Sequence, residues 1–128
     1  MSYIIDTHIL IWQEEGNSLL KPELRRLIEE TPEDIFISHA SIWEIVIKSS
    51  LGKLKMSIPV DQLEAHLIQR GYRLLNFSFG AYQQLLKLPF HHGDPFDRML
   101  IAQAIDEDCI IISQDNIFSR YPVQLLSQ

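Results

Sequence analysis

The sequence predicts an α/β protein in which a parallel β-sheet is covered by helices on both faces. Short runs of β-branched and apolar residues alternate with helical patterns along the whole chain, and this alternation is typical of βαβ units. The first run, Tyr3-Ile4-Ile5, is apolar throughout, as expected for a strand buried on both faces. Asp6 follows it, at the edge where open α/β sheets bind their ligands.

The composition is that of a globular protein. The 128 residues suit a single domain over 1–128 with one proper core. A net charge of −6 argues against nucleic-acid binding through a broad basic face, but not against an enzyme that meets nucleic acid through metal ions. No apolar run approaches the roughly 20 residues of a membrane span, no secretory signal is visible, and Cys109 is the only cysteine. We therefore expect a cytoplasmic protein with no membrane role.

Apolar spacing and boundary residues define the elements in the first half of the chain. Pro22 suits the first position of a helix, and Ser38 or Ser41 suits the N-cap of another. Gly71 suits the position that ends a helix. The predicted elements are a strand over 3–5, helices over 7–14 and 22–30, a strand over 34–38, and helices over 39–50 and 60–70.

The second half shows the same alternation. Ser78 is placed to cap a fifth helix, and Asp94-Pro95 opens a sixth. This sixth helix is apolar over a broad face, which is typical of a buried helix. The predicted elements are a strand over 73–77, helices over 79–88 and 95–107, a strand over 109–113, a helical turn over 116–120 and an edge strand over 123–126.

Four acidic residues stand just after strands or early in the helices that follow them: Asp6, Glu44, Asp97 and Asp115. Each alone has a simpler explanation. Asp6 suits an N-cap, and Asp115 suits a turn. Asp97 suits the positive end of a helix dipole. Glu44 suits a capping box with Ser41 or a helical ion pair with Lys48.

Together the four acids predict a cation site. In a parallel sheet such positions share one edge, where clustered carboxylates would raise one another's pKa values unless a cation lay between them. Oxygen ligands of this kind suit Mg²⁺ or Mn²⁺, which can activate water for phosphodiester cleavage. The pair His91-His92 lacks further ligands at zinc spacing, so we do not predict a histidine metal site. Thr7 is better placed than His8 to support the acids.

The motifs around these acids resemble those of PIN-domain ribonucleases, and most closely the VapC-type toxins of bacterial type II toxin–antitoxin pairs. The resemblance covers essentially the whole chain in order. It rests on Ile4-Ile5-Asp6-Thr7-His8, on Trp43-Glu44-Ile45-x-x-Lys48 with the trailing Gly52-Lys53-Leu54, on Asp94-Pro95-Phe96-Asp97-Arg98-x-Leu100-Ile101-Ala102-Gln103-Ala104, and on Ser113-x-Asp115.

The resemblance implies a three-layer α/β/α sandwich with a central, mostly parallel sheet of four to five strands. It implies a metal-dependent endoribonuclease that hydrolyses RNA phosphodiester bonds with a metal-activated water, using Mg²⁺ (or Mn²⁺). The catalytic and metal-binding residues would be Asp6, Glu44, Asp97 and Asp115, with Thr7 and Ser113 orienting them and Lys48 and Arg98 contacting substrate phosphates.

The same resemblance implies partners. A cognate antitoxin would hold such a toxin inactive with a segment lying in a groove near the acids, and a homodimer is common in the family. Trp12, Trp43, Leu51, Leu54 and Met56 are candidates for the groove.

Two other classes remain open from the residues alone. A Mg²⁺-dependent phosphatase or phosphotransferase would also place an aspartate after the first strand, but a haloacid-dehalogenase-type enzyme needs a second aspartate where His8 stands. A receiver domain needs a phospho-acceptor aspartate at the end of its third strand, where this chain has Asn76-Phe77-Ser78. A non-catalytic protein-interaction module on the same fold is the other alternative.

Overall fold

A computed structural model describes all residues, 1–128. None of its helices combines the length and the apolar character needed to cross a membrane. The strands are β1 (Tyr3–Ile5), β2 (Ile35–Ser38), β3 (Arg73–Leu75), β4 (Ile110–Ser113) and β5 (Leu125–Ser127). The helices are α1 (Thr7–Glu14), α2 (Pro22–Glu30), α3 (His39–Ser50), α4 (Leu63–Gln69), α5 (Phe79–Lys87) and α6 (Pro95–Glu107), with short 3₁₀ turns at Pro32–Asp34, Val60–Gln62 and Asn116–Arg120.

The five strands form one parallel sheet in the order β3-β2-β1-β4-β5. The chain runs outward from β1 to β3 and then returns to the other side of β1, so the strand order reverses between β1 and β4. A crevice opens at the carboxyl ends of the strands at such a reversal. Asp6 follows β1 and Ser113 ends β4 at this place. The predicted α/β/α sandwich is confirmed, with five strands.

Two apolar clusters lie on opposite faces of the sheet because successive side chains of a strand point to opposite sides. In β1, Ile4 belongs to one cluster and Ile5 to the other, and both are fully buried. The first cluster packs under α5 and α6, and the second under α1, α2 and α4. Helix α3 contributes Ala40 to the first and Ile45 to the second.

Three predicted elements differ most from the structure, and others differ by a single residue at one end. The helix over 60–70 is a 3₁₀ turn followed by α4. The third strand ends at Leu75 because the next backbone groups bond to side chains: Gln103 donates to Asn76 O, and Phe77 N donates to the Asn76 side chain. The last strand begins later than predicted, after a tight turn in which Val123 N donates to Tyr121 O at 2.7 Å.

A buried ionic network joins α1 to α4 and to the start of β3. The Glu14 side chain, at the end of α1, has no solvent exposure. Its Oε1 lies 2.5 Å from His66 Nε2 and 3.2 Å from Arg70 Nε, and its Oε2 accepts from the Tyr72 hydroxyl at 2.7 Å. Burial and the neighbouring Glu14 carboxylate raise the pKa of the Tyr72 hydroxyl, which keeps it a donor.

Replacing Tyr72 by Phe should therefore destabilise the fold. The variant leaves a buried carboxylate with one donor fewer, and hydrogen bonds to charged groups contribute about 1.5–3 kcal/mol. We expect urea unfolding to report a loss of that size. The matched control is Tyr82→Phe, since Tyr82 is 45% exposed and should change stability little. Equal losses in the two variants would contradict the role assigned to the network.

Candidate metal centre

Asp6 joins β1 to α1 and is almost fully buried, with 3% exposure. Its Oδ1 caps α1 by accepting from Ile9 N at 2.9 Å, and its Oδ2 accepts from the Ser113 hydroxyl at the end of β4. No lysine or arginine forms a salt bridge with it. Burial raises the pKa of this carboxyl, while the Ser113 and Ile9 hydrogen bonds work in the opposite direction. Asp6 is therefore a buried acid that lacks a paired cation.

Glu44 lies on the inner face of α3 and is 5% exposed. The Thr7 hydroxyl donates to its Oε1 at 2.6 Å and lies 3.0 Å from Ser41 Oγ. Lys48 Nζ donates to Oε2 at 2.6 Å, as the i,i+4 spacing predicts. The alternative of a capping box is wrong, because Ser38 caps α3 by accepting from Ala40 N.

Asp97 projects from the first turn of α6, which Asp94 caps by accepting from the backbone N–H groups of Phe96 and Asp97. Its Oδ2 lies 2.8 Å from His92 Nε2. Burial raises the pKa of Asp97 to about 6, the His92 hydrogen bond lowers it in part, and the nearby charges of Asp94 and Asp6 raise it further. The charge of Asp6 thus contributes to the raised pKa of Asp97.

Asp115 lies just beyond β4 and is exposed. It caps the turn Asn116–Arg120 by accepting from Ile117 N at 3.0 Å, and its own N–H donates to Ser113 Oγ at 3.0 Å. A ring nitrogen of His92 and one carboxylate oxygen each of Asp97 and Asp115 lie within 4.8 Å of one another. Ser113 contacts both Asp6 and Asp115 and so connects the two ends of the acidic group.

His92 is the site residue that sequence reasoning missed. The sequence shows no zinc-type partners at suitable spacing for the pair His91-His92 and therefore predicts no histidine metal site. The signal that could have found it is its position in the loop that enters α6, five residues before Asp97. That loop runs past the carboxyl edge of the sheet, so a polar side chain on it can reach the acids.

Arg98 is not exposed in the way that a contact with a substrate phosphate would require. It is buried, with 6% exposure, and its guanidinium donates to the carbonyl oxygens of Pro89, His92 and Leu88 while lying over the Phe90 ring. Its donors face the loop that precedes α6, so its role in this structure is to hold that loop. The Lys48 side chain is 42% exposed beside Glu44, and its contact with substrate stays a prediction.

The predicted groove residues separate into two groups. Trp43 and Leu51 are exposed, at 57% and 62%. The ring of Trp43 also packs edge-on against Phe96, with 5.4 Å between ring centroids. The others are half-buried and pack against the second apolar cluster: Trp12, Leu54 and Met56.

The donor set fits a divalent cation. Asp6 and Asp97 are largely removed from water, neither is paired with a lysine or arginine, and the pKa of each is raised. Carboxylate oxygens in such a setting are ligands for hard divalent ions, and an imidazole nitrogen extends the choice toward transition metals. A cation between them would remove the cost of holding these charges together.

The comparisons with known proteins agree with the fold. A family model described as PIN domain matches residues 3–124. DNA-bound VapBC from Salmonella typhimurium is 15% identical, with a TM-score of 0.76 and an alignment covering 99% of this chain and 98% of that chain. VapBC2 from Rickettsia felis bound to a promoter DNA fragment is 17% identical, with a TM-score of 0.76 and an alignment covering 100% of this chain and 99% of that chain. FitAcB from Neisseria gonorrhoeae is 15% identical, with a TM-score of 0.67 and an alignment covering 97% of this chain and 96% of that chain. No curated protein sequence matches the chain.

The raised pKa of Asp97 gives the metal-free protein a defined pH dependence. The pKa of the Asp97 carboxyl is about 6 in the folded state and returns to its usual 3.8 on unfolding. Because the unfolded chain then releases the proton more readily, the folded state loses stability as pH rises from about 4 to 6. In EDTA, we expect Asp97→Asn to be more stable than the parent at pH 7.5 by about 1–3 kcal/mol, with this gain vanishing near pH 4.

Urea unfolding of both proteins across this pH range measures the difference. Asp61→Asn is the matched control, because Asp61 is exposed in the turn before α4 and its replacement should give no such pH-dependent gain. A variant less stable than the metal-free parent at pH 7.5 would contradict the repulsion between the acids.

Proposed function

Because the chain belongs to the PIN domain family, we propose that it is a metal-dependent endoribonuclease and the VapC-type toxin of a toxin–antitoxin pair. The observation that carries this proposal is the pair of acids formed by the buried Asp6 and the half-buried Asp97, which lie at the carboxyl edge of the sheet without a paired lysine or arginine. A site of this charge has little affinity for an RNA backbone until a cation neutralises it.

Four acids would hold one or two Mg²⁺ (or Mn²⁺) ions: Asp6, Glu44, Asp97 and Asp115. When bound, the ions would activate a water molecule and stabilise the leaving oxygen in phosphodiester hydrolysis. The chain's own contribution is to orient the acids. Ser113 holds one oxygen of Asp6, and Thr7 holds one oxygen of Glu44, so each carboxylate keeps a defined direction.

Lys48 supports the same function from the rim of the site. Its ammonium group contacts Glu44 and is partly open to solvent. A cation in that position is placed to contact a phosphate of an RNA strand lying over the acids. Its attraction for Glu44 also prevents that carboxylate from turning away from Thr7.

A cognate antitoxin is the proposed protein partner. The similar structures from Salmonella typhimurium and Rickettsia felis are described as VapBC complexes, and one from Klebsiella pneumoniae as a toxin–antitoxin complex. The chain carries a net charge of −6, which favours a partner segment with basic residues. A basic side chain placed against Asp6 and Asp97 would occupy the cation's position and hold the enzyme inactive.

A homodimer is the proposed assembly. A groove beside the site is lined mostly by apolar side chains of α5 and the following loop, including Tyr82, Leu86 and Phe90. Leu86 and Phe90 are 88% and 84% exposed. Adjacent exposed apolar side chains of this size mark an interaction surface. A second copy of the chain would cover them.

The cleavage test uses the purified chain without antitoxin, with Mg²⁺ or Mn²⁺ and with chelator. We expect RNA cleavage only with the metal, and a loss of about 10²-fold or more in Asp6→Asn and in Asp97→Asn, since each removes a charge that holds the cation. Asp61→Asn should cleave like the parent. RNA cut equally well by Asp97→Asn, or in the presence of chelator, would refute the assigned site.

The assembly test is light scattering after gel filtration. We expect the mass of two chains for the parent and of one chain for Leu86→Lys, because burying an ammonium group in an apolar interface is costly. Leu19→Lys is the matched control, since Leu19 is 63% exposed in the turn before α2 and should leave the dimer intact. A parent that runs as one chain would remove the homodimer from the proposal.

A further inference from the structure

The loop between α5 and α6 brings a histidine into the acidic group. His92 Nε2 lies 2.8 Å from Asp97 Oδ2, and a ligand atom of Asp115 lies within 4.8 Å of both residues' ligand atoms. Two ligands that are each about 2.1 Å from one octahedral ion, at a right angle, lie about 3.0 Å apart. The spacing of the His92 nitrogen and the Asp97 oxygen is therefore that of neighbouring ligands on a single ion.

The loop holds His92 in this position with a dense set of contacts. Its backbone N–H donates to Tyr121 Oη at 2.9 Å, and its carbonyl accepts from Arg98 NH1 at 3.3 Å. The ring packs edge-on against Phe118, whose side chain is fully buried. The His92 side chain is only 19% exposed. A surface histidine that merely solvates a loop does not need these supports, whereas a metal ligand does.

The neighbouring histidine shows the contrast. His91 is exposed, and its ring packs edge-on against Tyr121, with 5.2 Å between ring centroids. The group of ligand atoms that includes Asp97 and Asp115 contains an atom of His92 and none of His91. The two adjacent residues thus form a natural test pair.

We propose that His92 is a direct ligand of the divalent ion held by Asp97 and Asp115, and that it makes this site prefer Mn²⁺ to Mg²⁺. The inference rests on the metal-dependent function proposed above and adds a nitrogen ligand to its oxygen set. In the metal-free protein Nε2 is hydrogen-bonded to Asp97; the bound ion takes the place of the proton in that contact, and the neutral ring then carries its proton on Nδ1. Mg²⁺ favours oxygen ligands and retains water, whereas a nitrogen ligand strengthens the binding of the divalent first-row transition metals, a series that begins with Mn²⁺.

The direct test is pulsed electron paramagnetic resonance of the full-length parent loaded with Mn²⁺ alone. We expect nitrogen modulation from a coordinated imidazole in the parent and in His91→Ala, and its disappearance in His92→Ala. Because the first reading uses the parent, it does not depend on whether a variant folds. Titration of free Mn²⁺ should show about tenfold weaker binding in His92→Ala, while competing Mg²⁺ binds all three proteins within about twofold.

The outcomes separate this inference from the proposed function. Bound Mn²⁺ without nitrogen modulation in the parent would overturn the role of His92 and leave the acidic site standing. Modulation that persists in His92→Ala would overturn the assignment to this residue. A parent that binds no Mn²⁺ at all would overturn both proposals together.

Discussion

The desolvated carboxylates of Asp6 and Asp97 are the constraint that the surrounding structure serves. A buried acid needs donors or a cation, and the fold supplies a few fixed donors from several elements: the Ile9 amide of α1, the Ser113 hydroxyl of β4 and the His92 ring. The Ile9 and His92 contacts are local in the chain, whereas Ser113 reaches Asp6 from the end of β4. The Ser113 contact therefore forms only when β4 pairs with β1. These donors compensate only part of the negative charge of the two carboxylates, and a bound ligand would compensate the rest.

The same side chains serve stability and the site. Thr7 contacts Glu44 and Ser41 and thereby joins the start of α1 to α3. The Ser38 hydroxyl caps α3 and donates to Gln103 of α6 at 2.5 Å, which fixes the two helices that carry Glu44 and Asp97. Buried polar networks of this kind orient functional groups because every member has a partner. The relative placement of Glu44 and Asp97 is therefore a property of the packing of α3 and α6.

Local chemistry explains which features were predictable. Asp6 and Asp97 could be placed because strand ends and helix N-termini are encoded within a few residues, by a β-branched run or by Asp94-Pro95. Arg98 and His92 could not, because their partners lie in the preceding loop and in the Asn116–Arg120 turn. The periodicity of apolar residues predicts helices and strands, but it does not predict the conformation of such a loop. A motif can therefore indicate that an arginine matters without indicating whether it faces a substrate or a backbone carbonyl.

The loop that enters α6 differs from the other connections in how it tolerates change. Connections of a fold usually vary in length among relatives. The segment from Leu88 to His92 is instead attached by Arg98 and by the Tyr121 hydroxyl, which bonds to both Pro89 and His92. An insertion there would withdraw the imidazole while leaving the sheet intact. Under the proposed ligation, a single exchange at position 92 would change the ion preference while the backbone contacts of the loop stay in place.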